Sequence, residues 1–166
     1  GISWFEGIYY NKEIFEENNV ELPKTFDEFL DVCTTFQNAG VTPLAAGLKS
    51  WEPLLKSSMA FVTAEYLSTD EGKGFGEKYR NGEVTMDGTW NPYIETWSQL
   101  IDNGVYTADM TGIDHDQALE QFATGGSAMF CSGPWDYDAI MEKNPELQLD
   151  MMPFYGTKES AGWLIG

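Results

Sequence analysis

Histidine and cysteine are scarce in this chain of 166 residues, which holds one His and two Cys. There is no CxxC pair, and a lone His supplies no zinc ligand set, so no metal centre is expected. Basic residues are also few, 9 Lys and Arg against 27 Asp and Glu, for a formal net charge of −18. DNA, RNA and anionic membranes would repel such a surface, so no nucleic-acid function is expected. No stretch of about 18 consecutive apolar residues is present, so nothing reads as a membrane-spanning helix. The N-terminus, from Gly1 to Glu6, lacks the charged start, apolar centre and small-residue cleavage site of a signal peptide. No G-x-S-x-G nucleophile motif or glycine-rich phosphate loop occurs, and no cofactor is expected. The acid-rich segment Thr107 to Asp116 lacks the alternating acids, central Gly and closing Glu of an EF-hand. Internal repeats and low-complexity segments are absent.

Aromatic residues are abundant by contrast, 14% of the chain with 6 Trp and 8 Tyr. Most belong in a core, yet the excess suits a site that stacks flat ligands. Cys33 and Cys131 sit in apolar contexts and read as buried free thiols, with a disulfide the less favoured alternative. Gly7 to Tyr10 reads as a short strand, and Lys12 to Asn18 as a short helix. Thr25 and Glu28 form a capping box that opens a helix with Phe26, Phe29, Leu30, Cys33 and Phe36 inward, closed by Gly40. Pro43 to Gly47 predicts a buried strand. Ser50 then caps a long helix with Pro53 in its first turn and an inner stripe of Leu55, Met59, Val62 and Tyr66. Residues 70–82 suggest a surface helix and loop. Trp90, Ile94, Trp97 and Ile101 predict one amphipathic helix ending at Gly104, and Asp114 reads as the N-cap of the next.

The most informative stretch is Phe122 to Trp135, FATGGSAMFCSGPW, followed by Asp136. Gly125 and Gly126 end a helix, because glycine enters the left-handed region without steric cost. Ala128 to Cys131 is an apolar run too short for a helix, as in a strand covered on both faces. Pro134 then fits the first turn of a helix running to about Lys143, stopped by Asn144 and Pro145. Trp135 and Asp136 therefore fall at a strand's C-terminal end beside a helix start, where open α/β sheets bind ligands. Trp51 and Glu52 repeat that arrangement after the strand at 43–47. Position alone leaves Trp135 either a core residue or a ligand platform. Leu147, Leu149 and Met151 alternate as in a strand ending near Pro153, and a last strand starts in the apolar run from Ala161 to Gly166. A close on such a run leads us to expect that the chain is a piece of something larger.

Several of these stretches resemble ABC-transporter sugar-binding proteins. Tyr9-Tyr10-Asn11-Lys12, Phe15-Glu16-Glu17 and Pro23 to Phe29 resemble the segment entering that family's second lobe. Phe122 to Phe130 resembles its F-x-x-G-x-A-A-M stretch, Ser132 to Trp135 its G-x-W turn, and Gly162-Trp163 the glycine-rich segment that follows. Order and spacing agree along nearly the whole chain. The resemblance implies an α/β fold, helices around a small mostly parallel or mixed sheet, forming one lobe of a type II periplasmic-binding-protein-like architecture. Residues 1–166 would be that lobe, with residues 1–10 crossing the hinge. It implies a monomer outside the cytoplasmic membrane, periplasmic or lipid-tethered, that closes on a sugar and delivers it to ABC-transporter permease subunits.

In maltose-binding relatives the second lobe offers a Glu-Pro pair at a helix start, the Trp of the Gly-Pro-Trp turn and an aromatic near the later glycine-rich strand. Those positions resemble Glu52 and Pro53, Trp135, and the region around Trp163. Where maltose-type relatives follow Glu-Pro with an aromatic, this chain has Leu54, preceded instead by Trp51, and the sugar stays open. Indoles at Trp135, Trp163 and either Trp51 or Trp4 would stack on the apolar faces of sugar rings. Glu52 and Asp136 would accept hydroxyl hydrogen bonds, which are stronger to charged acceptors. Two other classes compete: a non-catalytic carbohydrate-interaction module, and a glycoside hydrolase, which needs two carboxylates at a set separation. Such modules are usually all-β, whereas helices dominate here, and the catalytic pair has no sequence signature. A transport receptor ranks first, and no enzyme is expected.

Overall fold

The computed structural model describes residues 4–155 and the backbone of Leu164 and Ile165. The sequence expectation at Trp163 lies outside the described residues.

A mixed sheet organises the chain. Strand β1 (Phe5–Asn11) runs antiparallel to β3 (Met129–Ser132), β4 (Leu149–Met152) and β5 (Leu164–Ile165), while β2 (Leu44–Ala45) lies parallel to β3. The hydrogen-bonded order is β2-β3-β1-β4, with β5 joining β1 near its start. Because side chains alternate across a strand, β1 and β3 feed two separate apolar layers. Ile8 and Met129 enter the larger one, with Phe26, Phe29, Phe36 and Phe61 from helices α2 (Phe26–Asn38) and α3 (Glu52–Val62). Tyr9 and Phe130 enter the other, with Leu119 and Phe122 of α8 (His115–Ala123) and Ile140 of α9 (Tyr137–Lys143). Helices thus cover both faces of the sheet, the layered solution open to an α/β chain. Both faces of β3 are covered, as its unbroken apolar run requires.

Local signals behave as the sequence predicts. Asn11 accepts a bond from the backbone of Ile14 to cap α1 (Lys12–Glu17). Thr25 and Glu28 close their capping box on α2, and Gly40 and Gly125 take positive φ of 75° and 80° where helices end. Asp114 caps α8 in a second box with Gln117. Cys33 and Cys131 are free thiols, the first buried and the second partly so.

Two helical faces differ from the expected stripe. Leu55 is 43% exposed, and α3 turns Ser57, Ala60 and Phe61 inward alongside the expected Val62. The reason is Ser57: it is buried because its Oγ accepts from Trp97 Nε1 at 2.9 Å, a polar anchor that apolar periodicity cannot register. A π-turn follows over Thr63–Leu67, and Tyr66 is buried as expected. The helix expected from Trp90 to Ile101 is two short ones, α6 (Asn91–Trp97) and α7 (Gln99–Asp102), preceded by α5 (Met86–Thr89) and the surface helix α4 (Phe75–Arg80). The break at Ser98 turns Leu100 inward and leaves Ile101 exposed. Among the described residues no helix is long and apolar enough to cross a membrane.

Candidate ligand-binding site

Strand direction decides which residues meet. β2 and β3 are parallel neighbours, so the segments leaving their C-terminal ends start from one edge of the sheet. From β2 the chain enters α3 with Glu52 and Pro53; from β3 it enters the turn Pro134–Asp136 with Trp135. β1 is antiparallel to β3, with Gly7 opposite Ser132, so its first residues reach the same edge and bring Glu6 with them. A cleft of about 280 Å³ opens there. Its lining includes Glu6, Glu52, Pro53, Lys56, His115 and Trp135, with Ser50, Ser132 and Cys131 beside them. Glu52, Pro53 and Trp135, found from sequence at two separate junctions, share one cavity.

Trp135 is 50% exposed at the cleft wall. Trp4 meets it edge-on, with ring centroids 6.5 Å apart and planes at 71°. The Lys56 ammonium lies 5.8 Å from its ring centroid, within cation–π range. Tyr9 supports the turn from below, its hydroxyl donating to the Gly133 carbonyl at 2.9 Å. Burial pushes the Tyr9 phenol up to about 12, so that proton stays in place at any physiological pH. Gly133 lies under the indole: a Cβ there would come within 2.2 Å of the ring and 2.6 Å of the Phe5 carbonyl oxygen.

Lys56 binds two carboxylates, Glu6 Oε1 at 2.7 Å and Glu52 Oε2 at 3.4 Å. Glu6 is buried at 4% exposure, whereas Glu52 is open to solvent. Desolvation opposes the charge on Lys56, but the two carboxylates outweigh it and raise the ammonium's pKa. Asp136 faces inward. Its Oδ2 accepts from Ser132 Oγ and pairs with His115 Nε2 at 2.8 Å. Burial alone would raise the Asp136 carboxyl; the bonds from His115 and Ser132 reverse that and lower it. The bond to Asp136 raises the His115 pKa in turn, against desolvation. His115, and not Asp136, is the lining residue on that side. Trp51 stands one residue before α3, 69% exposed and outside the lining.

The site offers an indole platform, carboxylate acceptors, and donors from an ammonium and an imidazole. Proton relay is poorly served, since a serine nucleophile needs histidine between it and the acid. Here Ser132 and His115 both bond the same oxygen of Asp136. Among the described residues no group of His, Cys, Asp and Glu gathers to hold a metal ion.

A family model of bacterial extracellular solute-binding proteins matches residues 1–165. The chain belongs to that family. Among curated relatives of this solute-binding protein, the multiple sugar-binding protein of Streptococcus mutans is 26% identical over 161 residues, covering 96% of this chain and 38% of its own. The chain spans between 28% and 38% of the length of the curated relatives it matches. A sugar transporter of Bacillus licheniformis, solved with stachyose, superposes with a TM-score of 0.81 at 20% identity, over 99% of this chain and 44% of that one. Apo RafE of Streptococcus pneumoniae gives 0.73 at 24% identity, over 94% and 40%. At these identities the structural likeness establishes the shared fold.

Among the lining residues of the cleft that sequence reasoning did not pick out are its charged and titratable members Glu6, Lys56 and His115. Two had a legible signal. Glu6 is an acid inside the aromatic strand FEGIYYN, and Lys56 follows Glu52 by four residues on one helix face. His115 had none, because its place depends on α8 returning to the edge where β3 ends.

Proposed function

We propose that this chain is one lobe of a two-lobed receptor that binds a sugar or oligosaccharide outside the cell membrane and delivers it to an ABC-transporter permease. The observation that carries this reading is the half-exposed Trp135 indole over a cleft that also holds Glu6, Lys56 and Glu52. A sugar ring has an apolar C–H face and a rim of hydroxyls, which match an aromatic platform ringed by charged acceptors and donors. The names of its relatives agree: one is a multiple sugar-binding protein, and two neighbours in the fold were solved with stachyose and with raffinose.

Trp135 is the stacking platform and Trp4 its edge support. Glu52 accepts from a hydroxyl, and Pro53 fixes the first turn of α3. Asp136 acts through His115, holding the imidazole toward the cleft. Trp51, exposed one residue before Glu52, serves as an outer contact, and Trp163 supplies a further aromatic from outside the described residues. Residues 1–10 cross the hinge, and closure against the second lobe buries the ligand. The receptor is a monomer that presents its closed form to the permease.

A glycoside hydrolase would need one carboxyl to give a proton while another attacks or activates water. Glu6 and Glu52 instead share a single ammonium, an arrangement suited to fixed hydrogen bonding. The test is a tryptophan-fluorescence titration of the full-length protein with raffinose, stachyose, maltotriose and xylotriose, with the sugars assayed for breakdown. A saturable change with at least one sugar and no hydrolysis is expected. Turnover would favour the hydrolase, and silence across the panel would overturn the sugar-receptor reading.

A further inference from the structure

Glu6 stands out among the acids of the cleft. Glu52 is open to water, and Asp136 Oδ2 is taken by Ser132 and His115. Glu6 is 4% exposed yet lines the cavity, and its one hydrogen bond among the described residues is Oε1 to Lys56. Among the described residues no hydrogen bond reaches Oε2, and because Tyr106 Oη is the buried side-chain polar atom there that lacks a partner, Oε2 keeps an opening toward the cleft it lines. A carboxylate oxygen open to the cleft accepts a charge-assisted bond from a hydroxyl that reaches it, stronger than a neutral acceptor would make. Lys56 is complementary: an ammonium has three donors, and Glu6 and Glu52 take two. The remaining donor belongs to a group 5.8 Å from the Trp135 ring centroid.

We infer that Glu6 and Lys56 form the polar half of the sugar site, Glu6 Oε2 accepting from one hydroxyl and Lys56 Nζ donating to its neighbour on the ring stacked on Trp135. The inference deepens the receptor reading and rests on it. It narrows the ligand to an uncharged ring with two adjacent hydroxyls beside its apolar face. A uronate carboxylate at that position would lie against Glu6 and Glu52 and be repelled. β1 carries Glu6 within the segment proposed to cross the hinge, so this contact also joins the ligand to the moving part of the molecule.

The test is calorimetric titration of the full-length wild type and Glu6→Gln with the same four sugars, then with monodeoxy analogues of whichever binds. Loss of one charge-assisted bond predicts a Kd weaker on the order of tenfold to a hundredfold for Glu6→Gln. The deoxy analogue lacking the hydroxyl read by Glu6 should bind wild type correspondingly weakly and lose little more in the variant. A purely structural Glu6 would not produce that non-additivity. If wild type binds and Glu6→Gln stays within about twofold, the inference is overturned while the receptor reading stands. Should Glu6→Gln fail to fold, Lys56→Gln with the deoxy series decides: full additivity overturns the pair. If none of the four sugars binds wild type, the receptor reading falls and takes this inference with it.

Discussion

Gly133→Ala isolates the placement of Trp135. Gly133 has φ −116° and ψ −179°, extended backbone open to any residue, so the substitution brings no dihedral penalty. The obstacle is space alone. A Cβ would sit 2.2 and 2.3 Å from two carbons of the Trp135 ring and 2.6 Å from the Phe5 carbonyl oxygen. Ordinary carbon contacts lie near 3.5–4.0 Å, so the ring must withdraw by more than about 1 Å. The Phe5 side cannot yield as easily, because that oxygen is backbone of β1. The indole, half exposed, swings outward and loses its edge contact with Trp4 and its place beside Lys56. Overpacking of this kind costs about 1–3 kcal/mol, and the lost aromatic and cation–π contacts fall within that range. The assay is urea unfolding of the full-length protein together with its tryptophan emission and its titration with the sugar that binds. Lower stability, red-shifted emission from a more solvated indole, and weakened binding are expected together. Gly40→Ala is the control: strained by φ of 75° but with nothing within 4 Å, it should lower stability without moving emission or affinity. A Gly133→Ala protein with wild-type emission and affinity would refute the steric account of how Trp135 is held.

Two further outcomes follow from the structure. Ser57→Ala removes the acceptor of buried Trp97 Nε1 and a 3.4 Å partner of the Tyr155 hydroxyl, and should cost about 1–3 kcal/mol in urea unfolding. The His115–Asp136 pair makes stability depend on pH. His115, raised by Asp136, contributes fully below its unfolded value of about 6.5 and loses that contribution as pH rises through its folded value; Asp136, lowered by His115 and Ser132, contributes above about 3.9 and loses it as pH falls through its own. The stability gap between wild type and His115→Gln should therefore be widest between about pH 4 and 6.5 and shrink as pH rises through the raised folded value of His115, and a gap independent of pH would contradict the pairing.

Much of the fold was legible because local chemistry marks its own boundaries. The capping boxes at Thr25 and Asp114, the positive-φ glycines and the apolar strand at 129–132 need no distant partner to be recognised. The faces of α3 and of the 86–102 region were not, since burial there follows the Trp97–Ser57 hydrogen bond and a helix break at Ser98. The site divides along the same line. Glu52, Pro53 and Trp135 stand at strand-to-helix junctions, a position that sequence periodicity can locate, and the parallel β2–β3 pair explains their meeting. Glu6 and His115 arrive by the antiparallel return of β1 and of α8, which only the assembled sheet reveals. Asp136 shows the converse: its junction was correctly placed, but its carboxylate is turned onto Ser132 and His115.

The most direct measurement is calorimetric titration of full-length wild type and Trp135→Ala with raffinose, stachyose, maltotriose and xylotriose. Loss of the platform predicts that a sugar bound by wild type binds the variant at least about tenfold more weakly, with the urea midpoint little changed because the indole is half exposed. Equal affinity in the two proteins would contradict the claim that this cleft is the sugar site.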